Sequence, residues 1–216
     1  MVGIYGSIAL LGSVWWLGLW ATASLLFLVR VIWLPLLSLS FFSDLAPMPD
    51  SELKRRLGSC AERAGVRIEE IFESKIAAKA NVSNAFVVGM GRRRRVVLTD
   101  TLLRDYSADE IEALAAHEFG HVAMHHLLKR VAFNIVVFLA IAWAIRWMAE
   151  YKLFLEAPLG TVASLPQLMA VFGGLLIYSS FLLRSIIRRQ EMAADRFAWR
   201  YADVTAFISG MRKLTW

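Results

Sequence analysis

His117-Glu118-Phe119-Gly120-His121 is the stretch of this sequence whose residue types and spacing could do chemistry. Two histidines four residues apart on a helix project about 40° from one another around its axis. One tetrahedral zinc can accept a ring nitrogen from each. Glu118 follows the first of them and can activate a zinc-bound water without becoming a ligand itself. A hydrolytic zinc site needs a third protein ligand and one open position. Arg188 to Asp195, RRQEMAAD, offers Glu191 and Asp195 at i and i+4 on one helical face. Glu191 is the expected third ligand. Asp195, one turn further on, is suited to accept the free ring N–H of a zinc histidine, His117 by preference, and so to fix its tautomer. Taken alone, this pair would read as ordinary charges on a solvated helix; together with the paired histidines it reads as part of a metal site.

Those residues need helices to hold them. Ser107-Ala108-Asp109-Glu110 has the pattern of a capping box and predicts a helix start one to two turns before His117. Ile111, Ala115, Phe119 and Val122 supply an apolar stripe on the face away from the metal. On a continuous helix His125 falls two turns beyond His117 on nearly the same face, too far along for a ligand though within reach of a substrate oxyanion. His126 points to the opposite side, and both read as polar residues near a membrane surface. Upstream, 43–50 is a proline-punctuated linker. Leu53, Leu57, Cys60, Ala61 and Ala64 then make a helical stripe that Gly65 ends. Residues 66–72 are β-prone. Residues 84–89 and 95–98 form two strands around a Gly89-Met90-Gly91 turn. A strand such as Asn84, Ala85, Phe86 and Val87 beside a zinc helix could hold an extended peptide by main-chain hydrogen bonds.

With 58% hydrophobic residues and eight tryptophans among 216, the chain has the composition of a membrane protein with a modest polar portion. Its mean hydropathy of +0.53 agrees. The net charge of +6 does not indicate nucleic acid, because the basic residues flank apolar segments. The single Cys60 excludes an intrachain disulfide and falls on an apolar face, where it reads as packing. Spanning a bilayer takes about 20 apolar residues. Three stretches qualify: 7–29, with an interfacial segment carrying Trp33 and Pro35 after it, then 131–149 and 167–183. Trp15, Trp16, Trp20 and Trp33 read as interfacial anchors. Arg92 to Arg95, Lys129, Arg130, Arg184, Arg188 and Arg189 surround the last two spans, whereas the 150–166 loop carries one lysine and two glutamates. The positive-inside rule puts the basic regions in the cytoplasm. Both halves of the metal set then share one side of the membrane.

ALAAHEFGH, the NAFVVG strand, VVLTDTLL and EMAADRFA, in that order over 84–198, resemble the integral-membrane zinc metallopeptidases of the type I CAAX prenyl protease family, with the HtpX-type proteases as close relatives. The resemblance implies zinc on His117, His121 and Glu191, Glu118 as general base, Asp195 behind the ligands, and NAFVVG as a substrate-binding edge. It also implies more spans than the three found here, and a further C-terminal helix with a histidine-containing motif. The chain stops at Trp216, so it is expected to be a fragment or a shortened member, with the CAAX preference left open.

The expected fold is therefore α+β: a mostly helical gluzincin-type zinc peptidase domain with a small β-sheet, plus about three transmembrane helices. Its parts are an N-terminal membrane segment (1–42), a cytoplasmic peptidase domain with the zinc helix (43–130), a transmembrane hairpin (131–183), and the helix with the third ligand (184–216). The expected protein is a multi-pass zinc endopeptidase of a bacterial inner membrane, its site facing the cytoplasm. Its partners are the lipid bilayer and a peptide or protein substrate, membrane-bound or prenylated. A protease of membrane-protein quality control and a catalytically silent scaffold are the competing readings. A scaffold would need none of His117, Glu118, His121 and Glu191.

Overall fold

The computed structural model of the protein describes residues 12–41, 45–75, 84–89, 91, 93–150 and 165–214. In chain order its elements are α1 (Trp15–Phe41), β1 (Leu45–Pro47), α2 (Glu52–Arg63), β2 (Glu70–Ser74), β3 (Ala85–Val88) and β4 (Arg95–Thr99). There follow α3 (Asp100–Asp105), α4 (Ala108–Ala123), α5 (His126–Glu150), α6 (Leu165–Tyr201) and α7 (Val204–Leu214). The architecture is mostly helical with one small mixed sheet. Two compact units divide it: Met1–Leu34 with Leu128–Ile187, and Pro35–Leu127 with Arg188–Trp216.

In the first unit, helices long and apolar enough to cross a membrane cover Gly12–Val31, His126–Met148 and Met169–Tyr201, the last two continuing into the second unit. Ile141 and Ile145 are buried among Trp15, Leu19, Val137, Phe172 and Leu176. Leu25, Leu26, Val136, Trp143, Ile177 and Phe181 are exposed on the same helices. Long helices with apolar outer faces suit hydrocarbon, where only intra-segment hydrogen bonding can satisfy the backbone. Three of the tryptophans expected as anchors do packing work here. Trp15 joins the isoleucine cluster, Trp16 lies under the Arg146 guanidinium, and Trp20 Nε1 donates to the Ile135 carbonyl at 3.1 Å. α1 runs on through Pro35 to Phe41, where the sequence suggested a separate interfacial segment. A proline inside a helix removes a hydrogen bond without obliging the helix to end. The side chains of Trp33 and Pro35, and the 151–164 part of the inter-helix loop, lie outside the described residues.

The second unit is built on a sheet of order β1-β2-β4-β3, with β2 and β4 parallel and both outer strands antiparallel to their neighbours. β1 falls inside the stretch expected to be linker. Proline lacks an amide for the ladder and is tolerated at a sheet edge, which is where Pro47 sits. The β3–β4 connection requires glycine at 89. Its φ is +89°, and a Cβ there would lie 2.2 Å from the Arg93 carbonyl oxygen.

α2 starts on Ser51, whose hydroxyl accepts the Lys54 amide at 3.2 Å. It buries Leu57, Cys60 and Ala61 as the stripe predicts. Burial pushes the Cys60 thiol up to about 11, which leaves it an inert packing group. Arg56 and Arg63 both reach Glu112 on α4, at 2.7 Å and 3.1 Å, tying the two helices together. The central helix of this core is α4, with Ile111, Ala115 and Phe119 fully buried.

Candidate metal centre

The capping box forms as expected at the start of α4. Ser107 Oγ accepts the Glu110 amide at 3.2 Å, and Glu110 Oε2 accepts the Ser107 amide at 2.8 Å. With that phase set, the buried Ile111–Ala115–Phe119 stripe turns His117 and His121 to one side together. Their Nε2 atoms lie 3.1 Å apart. From α6, Glu191 Oε2 stands 3.5 Å from Nε2 of His117 and 3.3 Å from Nε2 of His121. These three residues form the one group with metal-binding geometry among the described residues.

The spacing tests the fit of an ion. Donors bonded to zinc at about 2.0–2.1 Å in a tetrahedral array stand about 3.3 Å from one another. The three observed separations bracket that value. Two imidazole lone pairs and a carboxylate converging this closely also repel unless a cation or protons lie between them, so the donor set suits a divalent metal. Glu191 is half-buried and His117 almost wholly buried, so one side of the cluster remains open.

Asp195, one turn beyond Glu191, places Oδ1 at 3.0 Å from Nδ1 of His117. The contact is short but off-line, and the buried Nδ1 makes no well-aligned hydrogen bond. Such bonds often straighten only when a site is loaded. Glu118 is half-buried on the turn between the two histidines.

Two further residues lie against the histidines, and the sequence reading had neither in the site. Phe207 of α7 stacks on the His117 ring at 6.0 Å between centroids and is itself buried. α7 is fastened to α4 through Glu110, whose carboxylate meets Lys213 Nζ at 2.7 Å and the Ser209 hydroxyl at 2.6 Å. Burial raises the Glu110 pKa, but Lys213, Ser209 and the Ser107 amide outweigh it and hold the carboxyl at about 2.

The second is His126, expected to face away. α4 ends at Ala123, His125 takes a left-handed φ of +54°, and α5 begins afresh at His126. That break reverses the expected roles. His125 is exposed, while His126 is buried with Nδ1 2.9 Å from Nδ1 of His121. No sequence signal marked the break: the apolar stripe stops at Val122, and Ala123-Met124-His125-His126 carries neither a glycine nor a proline to end a helix.

Of the expected substrate strand, Asn84 precedes β3, and Ala85, Phe86 and Val87 lie within it. β3 is an edge strand of the sheet and contacts α4.

Comparisons with known proteins place this geometry in context. Residues 47–214 match the model of Peptidase family M48. A metalloprotease of Bacillus subtilis, YhfN, is 27% identical over 189 residues, covering 85% of this chain and 44% of its own length. CAAX prenyl protease 1 of Saccharomyces cerevisiae is 34% identical over 120 residues, covering 54% of this chain and 26% of its own. The chain thus spans less than half the length of either relative. Among solved structures, that of S. mikatae Ste24p aligns with a TM-score of 0.74 at 24% identity, covering 93% of this chain and 51% of that one, a likeness of fold.

Proposed function

The chain belongs to peptidase family M48, and from that premise we propose that it is a membrane-embedded zinc metalloendopeptidase working at His117, His121 and Glu191. The observation that carries this reading is the convergence of their three donor atoms at 3.1, 3.3 and 3.5 Å. Zinc held there would polarise a scissile carbonyl and make a water acidic enough to attack it near neutral pH.

The chain's own residues do the rest. Glu118 takes a proton from the attacking water on its carboxylate oxygen and later delivers it to the leaving amine nitrogen. Asp195 holds the His117 Nδ1 proton and keeps Nε2 free to act as a ligand. The Phe207 ring limits the tilt of His117. β3 orders the substrate: Asn84 turns its own backbone to Thr99, with the Thr99 amide on its carbonyl at 3.1 Å. Antiparallel partners alternate in direction, so Ala85 and Val87 present N–H and C=O to the open side. An extended peptide pairing with them lies along α4 in fixed register. Asn84 and Phe86 flank that peptide with their side chains.

Basic flanks on the helices of spanning length favour a multi-pass protein of a bacterial inner membrane, with the site on the cytoplasmic side and the bilayer as a constant partner. Relatives named CAAX prenyl protease 1 make prenylated C-terminal peptides the first substrates to try; unprenylated membrane proteins, as in quality control, are the second. A silent scaffold is not favoured, because it has no use for this donor set with Glu118 beside it.

The test is peptide hydrolysis by the purified protein and by Glu118→Ala. The variant should keep its metal and lose turnover. A fully active Glu118→Ala would overturn the assignment of the general base.

A further inference from the structure

His126 opens α5, is 3% exposed, and stacks edge-on against His121 with ring centroids 4.9 Å apart. Had α4 continued straight, five residues of helix would have put it about 140° around the axis from His121. The left-handed residue at His125, φ +54°, brings it back. Left-handed backbone at a non-glycine residue is uncommon and costs energy, so the surrounding structure must hold the turn in place. The residue that the turn delivers points a ring nitrogen at a ligand ring nitrogen, 2.9 Å away.

We propose that His126 is a positioning residue for the metal ligand His121, accepting the His121 Nδ1–H on its own Nδ1. The inference rests on the zinc reading above. With Nε2 of His121 given to the metal, its ring proton must sit on Nδ1. Two ring nitrogens 2.9 Å apart share one proton, so His126 presents a lone pair there and carries its own proton on Nε2. The two histidine ligands are then held by unlike groups. His117 faces the Asp195 carboxylate at 3.0 Å, which makes its ring more basic; His121 faces a neutral ring, which fixes its rotation and adds no charge. A second carboxylate at that place would hold the ring as firmly while making the metal a weaker Lewis acid. The neutral partner keeps orientation separate from charge.

The experiment compares the full chain with His126→Leu, His126→Phe and His126→Asn. The first two fill the space without an acceptor; the third keeps an amide oxygen near the position of Nδ1. Zinc affinity is read by competition with a chelator, and ligand geometry by the visible absorption of the cobalt-substituted proteins. The leucine and phenylalanine variants should lose about 10–100-fold in zinc affinity and shift the cobalt bands. Asparagine should restore both towards the parent. Parent-like affinity and spectrum in the leucine or phenylalanine variant would overturn the proposal. So would an asparagine variant as weak as those two, since space filling and not an acceptor would then be what matters. A parent protein that takes up no zinc would instead remove the site itself, and this inference with it.

Discussion

Gly120 and Phe197 set how closely the metal helix approaches the helix that carries Glu191. A Cβ on Gly120 would lie 3.1 Å from the Phe197 Cβ and 3.2 Å from its ring. The nearest atom is bonded directly to the α6 backbone, so it can yield only if that backbone moves.

Gly120→Ala should therefore force α4 and α6 apart by tenths of an ångström and stretch the distances from Glu191 to both histidines. Overpacking of this kind typically costs about 1–3 kcal/mol. Thermal unfolding should show the loss, and chelator competition should show weaker zinc. A variant with unchanged melting and unchanged zinc retention would mean that this contact does not set the site's geometry.

Glu191 and Asp195 occupy one helical face but should fail differently. Removing a ligand, as in Glu191→Gln, should nearly abolish zinc retention. Asp195→Asn keeps the size and loses the charge behind His117, a change that typically costs about 10–100-fold in metal affinity or activity. Zinc released against chelator concentration puts both on one scale. An Asp195→Asn protein equal to the parent in affinity and turnover would make Asp195 a surface charge.

The Glu110 anchor predicts an acid limb in the stability of the second unit. Its carboxyl is held at about 2 in the folded protein against an ordinary 4.5. A depressed pKa contributes stability that is fully present above 4.5 and is lost as pH falls through about 2. The difference in denaturation midpoint between parent and Glu110→Gln should stay constant above pH 5 and shrink towards about pH 2. A difference that grows as the pH falls would contradict the assignment.

Val87→Pro tests the edge strand. Proline removes the outward amide of an edge residue without touching the metal ligands. Losing one main-chain hydrogen bond to a substrate is worth about 1 kcal/mol, or roughly a five-fold fall in kcat/KM. Zinc content should not change. Unchanged kinetics towards several peptides would take β3 out of substrate binding.

How much of this was legible beforehand follows from the range of each signal. The capping box and the stripe Ile111, Ala115, Phe119 are local patterns, and they place His117 and His121 side by side without any knowledge of the fold. Glu191 was legible through an expected topology, in which the two apolar stretches after His121 would bring the chain back to the same side; its carboxylate does meet both histidines. β1 was not, because a three-residue strand containing Pro47 exists only by pairing with β2. Phe207 meets His117 through the docking of α7, where the exposed Lys213 reaches the buried Glu110 carboxylate across more than a hundred residues of sequence. His126 was misplaced for a single reason. One positive φ at His125 rotates everything after it, and nothing in Met124-His125-His126 specifies the sign of that angle.

The most direct measurement is the metal content of the purified protein, read by elemental analysis beside a His117→Ala variant. About one zinc per chain in the parent and almost none in the variant is the expected result for a site of three protein ligands. A parent free of zinc after expression in zinc-replete medium, or a His117→Ala variant that holds as much as the parent, would contradict it.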